Sequence, residues 1–363
     1  MKVITILCWF VVAAILIGLA GWFLTGTMFG ARSERWNKIM PLSFNIGRME
    51  VLTGPYEPVG TYDISTAGIN SIRVDWIAGN IDIRTYDGDQ VKVTEFAQRE
   101  LRDDEKLSFA ISNDTLAIRF RERNLGNILN MPQKKLEVLI PRGLGESLDK
   151  LNVDSTSSRV DVQGLSAAAI RAESISGSVN LSNIISGTLY ASSTSGSITI
   201  TDIRADDIEI DSLSGTVRVS GAFTQKLDCE TTSGGINVSG EFGDARLASI
   251  SGRISLDNSA EQSTLKTDTT SGSQELWGSF DIAKVESLSG SISIRSRSVP
   301  SSLKADSTSG SITVAIPNAG PITVYHDSTS GRFSSDVPVV LQGRGAQFEL
   351  STLSGRTRII ALD

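Results

Sequence analysis

Histidine and cysteine are almost missing from this 363-residue chain, which has one histidine and two cysteines. With His326 alone, the sequence excludes a His-rich metal site, and Ser/His/Asp catalysis would depend on that single residue. Cys8 and Cys229 are too few for the disulfide framework that stabilises small secreted domains. The sequence therefore predicts no cofactor, no bound metal and no enzyme.

A basic stripe is missing as well. The formal net charge is −7, and the 34 Lys and Arg residues are scattered along the chain. Nucleic-acid-binding domains concentrate their basic residues on one face, so we expect no nucleic-acid partner.

One long apolar run stands at the N-terminus, with the sequence VITILCWFVVAAILIGLAGWFL from Val3 to Leu24. It has no charge and is long enough to cross the roughly 30 Å hydrocarbon layer of a membrane as a helix. The residues after it are a poor match to a signal-peptide cleavage site. We therefore predict an uncleaved, single-pass transmembrane anchor in residues 1–30, followed by a linker in residues 31–60.

Two features of the sequence favour opposite orientations of this anchor in the membrane. Arg32, Arg35 and Lys38 follow the run, and the positive-inside rule would place the remaining chain in the cytoplasm. An apolar N-terminus before a long Ser/Thr-rich β domain is, however, the usual layout of an exported protein. We expect a cell-membrane protein whose β region lies outside the cytoplasm.

Residues 61–150 alternate between apolar and polar side chains, most clearly in SIRVDWIAGNIDIRTYDGDQVKVTEF at 71–96. This period of two is typical of strands that are buried on one face. We predict an N-terminal β region that caps the next domain.

Residues 151–363 repeat a Ser-Gly pair about every 19 residues. Its glycines are Gly177, Gly196, Gly215, Gly234, Gly252, Gly272, Gly290, Gly310, Gly331 and Gly355, with Ser158 in the same place one unit earlier. Stacked units of this length bury a continuous core that no single unit could form. The sequence predicts an all-β fold, a parallel β-solenoid.

Apolar residues recur seven and five positions before this glycine, and two and four positions after it. Side chains alternate along a strand, so these positions face the interior and the alternation changes phase at Ser-Gly. We expect a corner there, at which glycine would supply a positive φ.

Two positions before the glycine, threonine alternates with a large aliphatic residue. If one unit formed one coil, each aliphatic would stack between two threonines; if two units formed one coil, the two types would form separate ladders. We favour two units, and therefore a coil of about 38 residues.

An acidic column lies four positions before the glycine. Its members are Asp154, Glu173, Asp211, Glu230, Asp268, Glu286, Asp306 and Asp327. Stacked like charges repel unless cations, solvent or neighbouring bases offset them, so the column is a candidate surface for divalent cations or a cationic envelope component. The alternative is a solvated face that caps turns, and the lack of a GGxGxD calcium repeat favours it.

The unit TTSGSQELWGSF at 269–280 is irregular, because Gln274 takes an apolar position and Trp277 an outward one. With Glu275 these residues form a candidate binding patch, or the unit is a tolerated defect.

Solenoid polysaccharide lyases and glycosidases are the enzyme alternative, and Asp206 and Asp207 would be candidate acids. Such enzymes usually build a cleft from long inserted loops, whereas insertions here span only a few residues.

The opening INSIRVDWIAGNIDIRTYDGDQVKV (69–93), the strand LEVLIP (136–141) and the tandem S-x-S-G-x-[IV] units resemble the bacterial putative-adhesin family of β-strand-repeat proteins. The resemblance covers most of residues 62–361 and implies a cell-envelope protein of unknown function. We expect a non-enzymatic, membrane-anchored surface binding or scaffold module with an envelope glycan or protein as partner. A regulatory partner of a membrane sensor is the third alternative.

Overall fold

The computed structural model describes residues 55–121, 133–340, 343 and 345–362. The predicted anchor and most of the predicted linker lie outside these ranges. Within them, no helix combines the length and apolar character that a membrane crossing requires. About two thirds of the described residues lie in β-strands, and almost none lie in helices.

The N-terminal part contains six strands, one 3₁₀ turn at Asp103–Glu105 and one short helix. The strands are β1 (Glu57–Ser65), β2 (Ser71–Tyr86), β3 (Gln90–Ala97), β4 (Ser108–Ser112), β5 (Thr115–Arg119) and β6 (Lys134–Pro141), and helix α1 is Arg142–Gly145. Strand β3 pairs antiparallel with β1 and β6, and β4 pairs antiparallel with β5. Strands β5 and β6 in turn pair with β2, so antiparallel strands cover this end of the solenoid.

The next strands form the coils. Six of them are long: β7 (Leu148–Gln163), β8 (Ser166–Ser174), β9 (Val179–Ser193), β10 (Ile198–Ser212), β11 (Val217–Thr231) and β12 (Ile236–Ser249). Seven are shorter: β13 (Ile254–Asn258), β14 (Ser263–Thr269), β15 (Gln274–Gly278), β16 (Phe280–Ser287), β17 (Ile292–Ser296), β18 (Ser302–Ser307) and β19 (Ile312–Pro317). All of them pair in parallel with their neighbours.

Each coil contains one repeat. Ile198 pairs with Val179 on one side and with Val217 on the other, an offset of one 19-residue unit in each direction. The favoured arrangement of two units per coil is therefore wrong. Each strand pairs in parallel with the equivalent segment of the adjacent unit, so one unit completes one coil.

The first coil is strand β2, which pairs along its length with β7 and places Gly79 opposite Ser158. This coil lies within the region predicted only as a cap. Its signal was present in the sequence, since Ile72, Val74 and Ile81 stand seven before, five before and two after Gly79. The 3₁₀ turn, α1 and strands β3 to β6 form one long insertion between the first two coils, whereas β1 precedes the first coil.

The last coils are not stacked in sequence order. The remaining strands are β20 (Ile322–Ser328), β21 (Phe333–Ser335), β22 (Val339–Val340), β23 (Gln347–Thr352) and β24 (Thr357–Leu362). Strand β23 lies between β18 and β20, and β24 lies between β19 and β21. The final segment of the chain therefore forms the penultimate coil, and β20 and β21 form the terminal one.

The core is a set of aliphatic columns that run through all the coils. The column two after the glycine includes Val160, Val179, Ile198, Val217 and Ile236, each with no exposed surface. Burial alternates along each strand in the phase that the sequence predicted, and the phase changes at Ser-Gly. The predicted parallel β-solenoid is confirmed for the described residues.

Glycine occupies the corner because neighbouring coils approach closely there. A Cβ atom on any glycine of this column would lie between 1.7 and 2.1 Å from the carbonyl oxygen of the preceding coil's corner residue. Residues with a positive φ include Gly79 of the first coil but none of the ten repeat glycines. The expected use of positive φ is therefore wrong, and the restriction comes from contact between backbones.

The first serine of Ser-x-Ser-Gly is buried and caps the corner. The N–H of Gly252 donates to Ser249 Oγ at 2.8 Å, and the N–H of Gly234 donates to Thr231 Oγ1 at 3.0 Å. The repeated phrase thus satisfies a buried backbone donor that the turn would otherwise leave without a partner.

Candidate functional site

The acidic column lies on the outer face of the solenoid, as the alternation predicted. Its members stand directly across from one another on adjacent parallel strands, as do Asp154 and Glu173, or Asp268 and Glu286. Burial is the largest cause that raises the pKa of Asp154, Glu173 and Asp268. Their ionised forms are therefore partly desolvated.

Basic residues two positions earlier on the same strands offset most of this charge. Lys284 Nζ lies 2.8 Å from Glu286 Oε1, and Lys304 Nζ lies 3.8 Å from Asp306 Oδ2. Arg171 pairs with Glu173 and Lys266 with Asp268 in the same way, whereas Asp154 pairs with Arg73 of the adjacent strand β2. These ion pairs occupy the carboxylates that a divalent cation would need. The column is therefore an ion-paired ladder over most of its length.

One short part of the column lacks its own bases. Glu209 and Asp211 share one coil, Asp228 and Glu230 the next, and Arg246 from the coil beyond lies 3.4 Å from Asp228 and 2.9 Å from Glu230. The hydroxyl of Tyr190 donates to Asp211 at 3.1 Å.

Burial dominates the titration of this part. It raises the pKa of Asp211, and it raises the pKa of Tyr190 to about 12. In the described ranges, no group of three or more His, Cys, Asp or Glu residues is arranged to hold a metal ion. Arg246 is therefore the base that offsets charge here, and the neutral Tyr190 hydroxyl donates a hydrogen bond to Asp211.

The last member, Asp327, lies on the terminal strand β20. With Tyr325, His326 and Glu349 it lines a shallow depression of about 340 Å³. His326 packs against Phe333, with ring centroids 5.0 Å apart. The histidine thus lies in an interior column of the terminal coil, opposite the buried Leu350 and in contact with an aromatic ring, and Cys229 is fully buried in the core.

Gln274 does not contribute to a surface patch, because it is fully buried. Its Nε2 donates to Thr269 Oγ1 at 2.9 Å and to the Glu286 carbonyl at 2.6 Å, and its Oε1 accepts from the Thr267 hydroxyl. The candidate patch of Gln274, Glu275 and Trp277 is therefore corrected to its two outward members. Burial of Gln274 is possible because buried hydroxyls and a carbonyl satisfy its amide.

Trp277 is a half-exposed indole on an otherwise polar outer face, with 41% of its surface accessible. The guanidinium carbons of Arg295 and Arg297 lie 5.8 and 5.5 Å from its ring centroid. Arg297 also pairs with Asp257 at 3.2 Å, on the strand at the other side of the indole. Glu275 is exposed on the same strand and lies 3.8 Å from Arg253. The patch thus combines an aromatic face with several planar hydrogen-bond donors.

The enzyme candidates Asp206 and Asp207 lie at an exposed corner. Asp206 lines an open groove of about 460 Å³ together with Glu146, Arg204 and Ile185. Asp207 stands opposite Lys226 of the next strand. The groove is shallow and lined mainly by small side chains, which differs from a cleft that encloses a polysaccharide.

The N-terminal cap contains a buried ion pair that no sequence pattern indicated. Lys134 Nζ lies 2.6 Å from Glu95 Oε1, and both side chains are completely buried. Lys134 also donates to the carbonyls of Glu105 and Phe120, and Glu95 accepts from the N–H of Leu107. Burial lowers the pKa of Lys134, while Glu95 opposes that shift. Because its oxygens and its ammonium group already have protein partners, this pair has a structural role.

These features define a class of protein: a parallel β-solenoid with ion-paired outer faces, an antiparallel cap and shallow surface depressions. The chain belongs to the Toastrack DUF4097 family, whose sequence profile matches residues 69–278 and 241–355. The predicted resemblance is confirmed. No curated protein matches the chain in sequence.

Several solved bacterial structures are similar to this chain. A "putative adhesin" from Bacteroides fragilis is 13% identical, covers 84% of this chain and 96% of its own, and has a TM-score of 0.36. A "putative lipid binding protein" from Parabacteroides distasonis is 12% identical, with coverage of 86% and 98% and a TM-score of 0.39. A "putative cell adhesion protein" from Clostridium sporogenes is 8% identical, with coverage of 85% and 100% and a TM-score of 0.21. No residue of this chain receives a role from these likenesses.

Proposed function

We propose that this protein is a non-enzymatic binding module of the bacterial cell envelope. Its outer faces are built from ion-paired strands, and its depressions are shallow. Such faces suit the binding of an extended partner along the solenoid rather than the enclosure of a small substrate.

Trp277 carries this proposal. A half-exposed indole on a flat polar face leaves a large apolar surface in contact with water, which is typical of a binding position. Arg295 and Arg297 flank it and offer donors to carboxylate or phosphate groups. Sugar rings stack on indoles through their C–H faces, so the combination fits an acidic glycan of the envelope.

Binding to isolated cell walls tests this proposal. We compare the purified full-length chain with Trp277→Ala in co-sedimentation, and use Ile282→Ala as a matched control, because Ile282 is 46% exposed. Loss of a central aromatic contact should weaken binding at least about tenfold, and the control should bind as the wild type does. Walls stripped of their acidic polymers should bind weakly.

Three outcomes would overturn the glycan proposal. Equal binding by Trp277→Ala would exclude the indole as a contact. Loss of binding after protease treatment of the walls would identify a protein partner instead. Steady release of soluble saccharide during incubation would favour the polysaccharide-degrading alternative, in which Asp206→Asn and Asp207→Asn should abolish the release.

The proposal also places the solenoid outside the cytoplasm, held by the apolar run of residues 3–24. Protease added to intact cells tests this placement. Digestion of the solenoid on intact cells supports a surface position, whereas protection until lysis contradicts it. Altered envelope-stress signalling on deletion of residues 1–30, without any loss of wall binding, would favour the regulatory alternative.

A further inference from the structure

The residues two positions before the corner glycine form an exposed ridge along the solenoid. In spatial order they are Ile77, Thr156, Ile175, Thr194, Leu213, Thr232, Ile250, Thr270, Leu288, Thr308, Leu353 and Thr329. We call this set the ridge and number its rungs from 1 to 12. Aliphatic and threonine residues alternate without exception through all twelve rungs.

The alternation follows spatial neighbours and not the sequence. Along the chain, Thr308 is followed by Thr329 and then by Leu353, which breaks the pattern. In the structure, the N–H of Leu353 donates to the Thr308 carbonyl, and the N–H of Ser330 donates to the Leu353 carbonyl. The exchanged order of the last coils therefore restores the alternation. Duplication of a two-unit repeat would make the residues alternate along the chain, and not between spatial neighbours as they do here.

Packing within one chain does not require the alternation either. The interior columns stack one aliphatic directly on the next at the same strand spacing, as in Val179, Ile198 and Val217. Four of the six aliphatic ridge residues, by contrast, are about half exposed: Ile175 at 49%, Ile250 at 46%, Leu288 at 55% and Leu353 at 54%. The other two, Ile77 and Leu213, are partly buried. The alternation is thus a property of an outward surface, and it points to a partner.

The period of the ridge limits what that partner can be. Strands lie about 4.8 Å apart, so the aliphatics recur about every 9.6 Å. An extended peptide repeats its side chains on one face about every 6.8 Å and falls out of register after a few residues. A second ridge has the identical period and stays in register over the full length.

We propose that two copies of this chain associate through their ridges in antiparallel orientation. Because the ridge has an even number of rungs, full overlap places rung 1 against rung 12, rung 2 against rung 11, and so on. Every aliphatic then faces a threonine of the other copy, for example Ile250 against Thr232 and Leu288 against Thr194. Large side chains enter the spaces above small ones, and the contact is isologous.

Size and charge are compatible with this contact. Eleven strand spacings give a ridge about 53 Å long, and a width of about 15 Å would bury the roughly 800 Å² per partner of a standard interface. The ridge itself is uncharged, and a column of serines, among them Ser251 and Ser289, runs beside it. The acidic column two residues away is ion-paired over most of its length, and Arg246 pairs with Glu230 beside the central rungs, which limits repulsion between the copies.

Substitutions at the two central rungs test the contact in the full-length chain. Ile250→Thr removes an inserted side chain, and Thr232→Ile fills the space that receives one. Each change acts twice because of the two-fold symmetry, so each should weaken dimerisation at least about tenfold. The double variant Thr232→Ile/Ile250→Thr exchanges the two roles and should dimerise as the wild type does.

Sedimentation equilibrium in one fixed detergent gives these dissociation constants, and circular dichroism checks that each variant is folded. Rescue in the double variant supports the proposal. The detergent and the N-terminal segment cannot cause such a rescue, because both are the same in all four chains. Tighter association of Thr232→Ile would indicate a merely adhesive apolar strip and would overturn it. A wild type that stays monomeric at micromolar concentration would overturn it as well.

Cross-linking tests the antiparallel register. Two differently tagged chains carry Thr194→Cys and Leu288→Cys respectively, both with Cys8→Ser, and native Cys229 is buried. We expect disulfides between residue 194 of one copy and residue 288 of the other. Predominant 194–194 and 288–288 products would require a parallel arrangement and would overturn the antiparallel one.

Discussion

The carbonyl oxygen of Gly215 occupies the place where a side chain on Gly234 would begin. A Cβ on Gly234 would lie 1.9 Å from this oxygen and 2.7 Å from the carbonyl carbon. The same relationship recurs from coil to coil, so glycine is needed at each corner because successive coils stack closely there.

Gly234→Ala should therefore destabilise the protein by more than about 3 kcal/mol, because the obstructing atoms belong to backbone that cannot rotate away. Gly143→Ala is the matched control, since nothing lies within 4 Å of its Cβ position. Urea denaturation of the two variants measures the difference. A free energy of unfolding for Gly234→Ala within about 1 kcal/mol of the wild type would contradict the close stacking.

The buried pair of Lys134 and Glu95 leads to a second prediction. Lys134→Met leaves the Glu95 carboxylate buried without its counterion, and should cost about 3–5 kcal/mol of stability. The double variant Lys134→Met/Glu95→Gln removes both charges and should recover part of that loss. Denaturant unfolding with intrinsic fluorescence measures all three chains.

A surface pair provides the control. Lys284 lies 2.8 Å from Glu286, but 43% of the Lys284 side chain is exposed. Lys284→Met should therefore cost less than about 1 kcal/mol. Equal losses for Lys284→Met and Lys134→Met would show that burial of the Lys134 pair has no energetic effect.

The third prediction concerns pH. Burial raises the pKa of Asp211 in the folded state, so the folded protein takes up this proton before the unfolded chain does as the pH falls. Ionised Asp211 therefore costs stability at neutral pH, and this cost disappears as the pH falls from the folded-state pKa to the ordinary pKa of an aspartate.

Asp211→Asn should accordingly unfold at a slightly higher temperature than the wild type at pH 7, by no more than about 3 °C. The advantage should vanish near about pH 3, where the aspartate is protonated in both states. Asn keeps an acceptor for the Tyr190 hydroxyl. The unfolding temperature of the exposed control Asp281→Asn should differ from that of the wild type by the same small amount at both pH values. An unfolding temperature of Asp211→Asn below that of the wild type at pH 7 would contradict the predicted direction.

The sequence predicted the solenoid because its signals are local and repeated. Aliphatic columns such as Val179, Ile198 and Val217 need only a constant spacing to be recognised. The number of units per coil was predicted wrongly because the alternation of threonine and aliphatic residues permits both arrangements, and only the pairing of Ile198 with Val179 and Val217 decides between them.

Other features could not be predicted because they depend on contacts between distant segments. Lys134 and Glu95 lie in separate strands, and no pattern within either strand indicates the pair. The insertion of β23 between β18 and β20 likewise changes neighbours without changing any repeat. For the acidic column, the sequence placed the carboxylates on the outer face, but the bases that offset them were assigned only by the geometry of the strands.

The position of the C-terminal strands supports both the stacking scheme and the ridge, and one cross-linking measurement tests it directly. In a Cys8→Ser background, Asp306→Cys is combined with either Ser351→Cys or Asp327→Cys. Asp306 stands directly across from Ser351, whereas Asp327 lies one strand farther, about 9.6 Å from Asp306 and beyond the reach of a disulfide. Mass spectrometry should find the 306–351 disulfide and free thiols in the 306–327 variant. A 306–327 disulfide with free thiols at 306 and 351 would contradict the account, because the coils would then stack in the order of the sequence.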